Sequence, residues 1–142
     1  ELFNLTWADV NLGRRQLTVE GTTAKSGQTR HVPLNREVHK LLMDWQKQSN
    51  GKLVFPSPVT NDRFNNINRS WRGLRDRAEL KDFDLRDLRH TFASNLVMAK
   101  EDLYVVKELL GHSTIQMTEK YAHLAPEHKA SAVEKLVAQS DT

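Results

Sequence analysis

Five side chains in this 142-residue sequence carry chemistry that suits a single phosphodiester: Lys25, Arg86, Arg89, His112 and Tyr121. Arg86 and Arg89 are three apart, so both can face the same way from the start of one helix. Guanidinium groups bind non-bridging phosphate oxygens in a forked geometry and stabilise charge developing on them. A tyrosine hydroxyl can attack phosphorus to form a covalent phosphotyrosine, and a lysine or histidine can deliver a proton to the departing oxygen. Each residue has a plainer reading too. Tyr121 near a helix end suits half-buried packing. Arg86 and Arg89, with Asp84 and Asp87 beside them, suit a surface ion-pair cluster. His112 after Gly111 suits a loop, and Lys25 suits an ordinary turn. Spacing and residue type leave both readings open.

The elements that would position these groups are legible as changes of period. Residues 5–10 read as a short strand leading to the turn-prone Asn11-Leu12-Gly13, and Gln16 to Glu20 alternates polar and apolar. Gly21 to Gln28 is small and polar, an exposed turn with Lys25 near its centre, before a third strand at Thr29 to Val32. Asn35 can cap a helix with Val38, Leu41, Leu42 and Trp45 on one face, closed by Asn50-Gly51. After Pro56 and Pro58, the spacing of Ile67, Trp71, Leu74 and Ala78 predicts a helix whose Arg69, Arg72 and Arg75 project away from the buried stripe. Leu88, Phe92, Leu96 and Ala99 predict another, and Leu103, Val106 and Leu110 a third that ends at Gly111. Ser113 and Gln116 fit a capping box for a short helix running toward Tyr121. Pro126 to Ala138 reads as a final amphipathic helix. The expected fold class is α+β, mainly α-helical, with a small antiparallel sheet near the start followed by a helical bundle.

Composition narrows the function classes. Hydrophobic residues at 38% and charged residues at 27% are ordinary for a well-ordered soluble domain and argue against disorder. No apolar run approaches the roughly 20 residues of a membrane span, so no membrane association is expected. With no cysteine, disulfides, thiolate zinc sites and cysteine nucleophiles are excluded. Residues 1–100 hold 17 basic against 11 acidic side chains, whereas residues 101–142 hold 4 against 7. Five arginines (63, 69, 72, 75 and 77) fall within Arg63–Arg77 against Asp76 alone. A polyanion such as nucleic acid suits this stripe, because each neutralised phosphate releases counterions; a solvated helix face suits it equally.

The words around the reactive residues are more specific than their spacing. Asp87-Leu88-Arg89-His90-Thr91-Phe92-Ala93-Ser94, Leu109-Leu110-Gly111-His112-Ser113 and Thr118-Glu119-Lys120-Tyr121-Ala122-His123 follow in order. Glu1-Leu2, Leu5, Trp7 and Asp9 precede them, as does Ala24-Lys25-Ser26-Gly27 running on to Arg30-His31-Val32-Pro33-Leu34. Together these boxes, covering nearly the whole chain, resemble the catalytic domain of the tyrosine recombinases, the phage-integrase family.

The resemblance implies site-specific DNA recombination or integration through a 3′-phosphotyrosyl intermediate and a free 5′-hydroxyl. Tyr121 matches the nucleophile, Arg89 the second phosphate-gripping arginine, and His112 the position that hydrogen-bonds the same phosphate. Lys25 matches the lysine that protonates the leaving 5′-oxygen. No cofactor, metal or ATP is implied, since the phosphodiester energy is conserved. Arg86 stands where the family usually has histidine; a guanidinium can bind phosphate but is a poor general base. The family's first arginine would lie three residues before Glu1, so residues 1–142 read as a C-terminal catalytic domain truncated at its leading edge and weak or inactive alone. Double-stranded DNA is the implied partner, with Arg63, Arg69, Arg72 and Arg75 as candidate backbone contacts and a homotetramer as the assembly. The implied setting is cytoplasmic and nucleoid-associated, in a bacterial or phage-encoded protein. The competing readings are a type IB topoisomerase-like enzyme and a non-catalytic DNA-binding module.

Overall fold

A computed structural model describes residues 1–22, 24, 27–64, 66–125 and 133. The chain divides into two compact units, Glu1–Leu85 and a second beginning at Arg86. Among the described residues, three strands and five α-helices, with short 3-10 turns between them, make the expected α+β architecture. Among the described residues, no helix is long and apolar enough to cross a membrane.

The first unit is built on an antiparallel sheet of β1 (Val10–Asn11), β2 (Gln16–Val19) and β3 (Arg30–Pro33), in that order. Leu17 pairs with both Val10 and Val32, which puts three apolar side chains at one level of the sheet. Residues 5–10 do not form the strand their composition predicts. Thr6 donates from both its amide and its hydroxyl to the Asp9 carboxylate, at 2.9 and 2.7 Å. That local bonding tightens Trp7–Asp9 into a 3-10 turn and leaves β1 only two residues. At the base of the β2–β3 hairpin, a Cβ on Gly21 would lie 2.6 Å from the Gly27 carbonyl oxygen, so the backbones approach too closely for any side chain.

Helix α1 (Arg36–Gln46) starts as expected, with the Asn35 side chain accepting from the Val38 amide at 2.8 Å. Its buried face is narrower than the predicted one. Leu42 is buried and His39 bonds the Leu12 carbonyl at 2.9 Å, whereas Leu41 is 68% exposed. The helix stops at Gln46, before Asn50-Gly51, and the Trp45 indole donates to the Val54 carbonyl at 2.6 Å. Val10, Leu34, Leu42 and Val54 form the core, flanked by Leu5, Trp7, Leu12, Leu17 and Phe55. In α2 (Asn68–Arg77), Ile67 and Trp71 are half-buried, Trp71 packing at 6.2 Å on Phe83. Leu74 and Ala78 are exposed, so the buried stripe is shorter than its periodicity predicts.

The second unit comprises α3 (Leu85–Met98), α4 (Leu103–Leu110), α5 (Gln116–Glu119) and a 3-10 turn at Ala122–Leu124. Its core is Ala93, Val97, Val106, Leu110 and Tyr121, with Leu96, Leu103 and Leu124 packed against it. The buried face of α3 is rotated from the expected one. Leu88 and Phe92 are 51% and 46% exposed, while Ala93 and Val97, four residues apart, are the buried pair. The expected helix over 126–138 lies outside the described residues.

Candidate functional site

The rotation of α3 decides which polar residues face the core of the second unit. Arg89 and His90 lie one turn before buried Ala93, His90 half-buried and Arg89 exposed. Arg89 donates through Nη2 to the carbonyl of Leu110, the last residue of α4. That carbonyl has no partner within its own helix, and the negative end of the helix dipole favours a cation there. The remaining guanidinium surface is exposed.

Helix α4 is closed by a Schellman motif. Gly111 adopts φ +67°, its amide donates to the Glu108 carbonyl, and the His112 amide donates to Lys107 at 3.1 Å. The motif turns the chain so that His112 is buried, with Nδ1 2.8 Å from the Oγ1 of fully buried Thr118. Burial pushes the His112 pKa below its ordinary value, and the neighbouring charges of Arg89, Lys120 and Lys107 push it further. A neutral imidazole results, with one nitrogen occupied by Thr118.

Tyr121 follows Thr118 by one turn, its amide donating to the Thr118 carbonyl at 2.9 Å. The phenol ring belongs to the core and is only 6% exposed, while its hydroxyl meets His90 Nδ1 at 2.6 Å. Lys120 Nζ sits 5.0 Å from the ring centroid. The short helix carrying these residues differs from its expected start. It begins at Gln116 without a side-chain cap, and the Ser113 hydroxyl turns instead toward the Met117 sulfur at 3.6 Å.

Of the five residues singled out, Arg89, His112 and Tyr121 are thus gathered around the end of α4 and the helix after it. Arg86 is exposed at the start of α3, three residues before Arg89. Lys25 lies outside the described residues. The four arginines proposed for DNA all lie in the first unit. Arg69 and Arg72 are exposed on α2. Arg63 is exposed and donates to Asn4 Oδ1 at 2.9 Å. Arg75 does not project freely as its helical phase predicts, because its side chain is half-buried and its Nη2 lies 3.7 Å from Asp76. Two site residues went unnoticed in the sequence, His90 and Thr118. Their signal is helical phase: His90 is three residues before buried Ala93, and Thr118 three before Tyr121.

A small antiparallel sheet in the first unit and a helical second unit that holds Tyr121 against His90 and Lys120 make an α+β fold of the integrase kind. The chain belongs to the phage integrase family, whose model matches residues 1–128. It is 32% identical over 138 residues to the integrase of Salmonella phage P22, covering 89% of this chain and 36% of that protein. It is 30% identical over 131 residues to the tyrosine recombinase XerC of Pelobacter propionicus, covering 88% of this chain and 42% of that protein. The chain therefore spans about 40% of the length of these curated relatives. Among solved structures, the catalytic domain of bacteriophage HP1 integrase superposes with a TM-score of 0.67 at 32% identity, over 92% of this chain and 68% of that one.

Proposed function

We propose that this chain carries out the strand cleavage and rejoining of site-specific DNA recombination, with Tyr121 attacking a phosphodiester to form a 3′-phosphotyrosyl link. The observation that supports it most is the clustering of Arg89, His112 and Tyr121 around one helix end, in a chain of the phage integrase family. In this reading the Arg89 N–H groups not held by Leu110 bind the non-bridging oxygens of the scissile phosphate. Thr118 donates its hydroxyl proton to His112 Nδ1, so the ring hydrogen resides on Nε2 and is donated to the same phosphate. Both contacts strengthen as charge builds on the pentacoordinate phosphorus. The bond to the 5′-oxygen breaks as the bond to the tyrosine oxygen forms, and Lys25 supplies the proton the leaving oxygen takes up. One phosphodiester replaces another, so the balance calls for neither ATP nor a metal.

The substrate assigned is double-stranded DNA at a recombination site. Exchange between two duplexes cuts four strands, one tyrosine each, hence a homotetramer on DNA. Arg86 is assigned to the phosphate as a binding group. Arg69 and Arg72, exposed on α2, are the stronger backbone contacts; Arg63 and Arg75 already engage Asn4 and Asp76.

The test is covalent trapping on a nicked suicide duplex. Wild type is expected to give a detergent-resistant adduct. Y121F should give none while retaining DNA affinity, and R89A should slow the reaction by about 100-fold or more. An equal adduct from Y121F would overturn the proposal.

A further inference from the structure

We propose that His90 is the group that takes the Tyr121 proton during attack, a role resting on the assignment of Tyr121 as nucleophile above. The hydroxyl and His90 Nδ1 are 2.6 Å apart, within the range required for direct proton transfer. The rings pack at 5.9 Å and 51°, which holds the nitrogen at the hydroxyl and not over the ring face. The pair is also placed by its elements: His90 is one turn from buried Ala93, and Tyr121 is itself core, so neither is a loose surface side chain.

The cationic groups on the same and adjoining elements are poor acceptors. Arg86 and Arg89, on the same helix as His90, are guanidiniums and keep their protons. Lys120 is a cation and lies over the ring face, 5.0 Å from its centroid. His112 has its Nδ1 committed to Thr118. His90 is the neighbour whose chemistry and position both fit.

The proton balance is simple. In cleavage the phenolic O–H bond breaks, its proton passes to Nδ1 of neutral His90, and the oxygen's electron pair forms the new bond to phosphorus. The bond from phosphorus to the 5′-oxygen breaks, and that oxygen is protonated by Lys25. Rejoining reverses every transfer, so imidazolium at His90 returns the proton to the tyrosine as it leaves. Consumption of the phenolate by phosphorus keeps the exchange from stalling as an ion pair.

The test is the suicide assay measured in single turnover. The H90N side chain can keep a hydrogen bond to the hydroxyl but cannot hold the proton. It is expected to slow cleavage by about 100-fold or more at unchanged DNA affinity and thermal stability. Replacing the 5′-bridging oxygen of the substrate by sulfur, whose thiolate leaves without a proton, should rescue K25A and leave H90N slow. Wild-type-like cleavage by H90N, faster cleavage, or rescue of H90N by sulfur would each overturn the inference. A readout on the unaltered histidine guards against a folding defect: with fluorotyrosine at 121 the acid limb of the pH–rate profile should stay in place. An acid limb that moves with the acidity of the phenol would assign the titration to the tyrosine and overturn the inference. These outcomes are separable from failure of the nucleophile assignment, which would appear as an adduct on Y121F or as no adduct on wild type.

Discussion

His112 shows most clearly how a single side chain is tuned by its surroundings. It is buried beside Thr118, and Arg89, Lys120 and Lys107 add positive charge around it, so its folded-state pKa lies below the ordinary value of 6.5. The unfolded chain therefore binds a proton more readily than the folded one. The stability this contributes is fully present above about pH 6.5 and is lost as pH falls through the lower folded-state pKa. The melting temperature should drop between pH 7.5 and pH 5, and H112Q should lose part of that dependence. An H112Q variant with the full wild-type slope would contradict the assignment. The lowered pKa also favours the neutral imidazole near pH 7, the form that the proposed function has donating a hydrogen bond to the phosphate.

The ends of the two longest helices of the second unit make a natural comparison. After α4, Gly111 takes φ +67°; after α3, Lys100 takes φ +72° with the same bonding pattern, its amide to Val97 and the Glu101 amide to Leu96. A side chain in this left-handed conformation costs about 1 kcal/mol. G111A should therefore destabilise the chain by about 1–2 kcal/mol and, by displacing His112, reduce cleavage more than DNA binding. K100G should be neutral or gain up to about 1 kcal/mol in urea unfolding and leave cleavage unchanged; a clear loss of stability in K100G would refute the argument. These stops also explain what the sequence makes legible. Gly111 and Asn35 act locally, through backbone freedom and a single side-chain bond, and both can be recognised without the fold. The phase of α3 cannot. Leu88 and Phe92 satisfy a helical period as well as Ala93 and Val97 do, and only packing against the rest of the core selects the smaller pair. Because the phase was hidden, so was His90, although it stands beside Arg89 in the chain. The Ser113–Gln116 box failed for a related reason: the Ser113 hydroxyl points to Met117, so no side chain caps the helix that starts at Gln116.

Across the whole chain, the basic excess and the proposed nucleophile lie in different stretches of the sequence. The excess of basic residues lies in residues 1–100, whereas Tyr121 falls in the stretch with 4 basic and 7 acidic side chains. In the proposed function most backbone contacts to DNA fall in the first unit, together with Lys25, while Arg89, His112 and Tyr121 fall in the second. R69A and R72A should each lower the slope of log affinity against log salt by about 1, alike for all DNA sequences, since phosphate contacts position without specifying. An unchanged slope would remove α2 from the DNA surface. The order of the family boxes was readable from end to end, because reactive residues sit in recognisable words even where helix faces do not. The most direct measurement is mass-spectrometric mapping of the protein–DNA adduct trapped on a suicide duplex. The account predicts a nucleotide remnant on the phenolic oxygen of Tyr121. A remnant on any other side chain would contradict it.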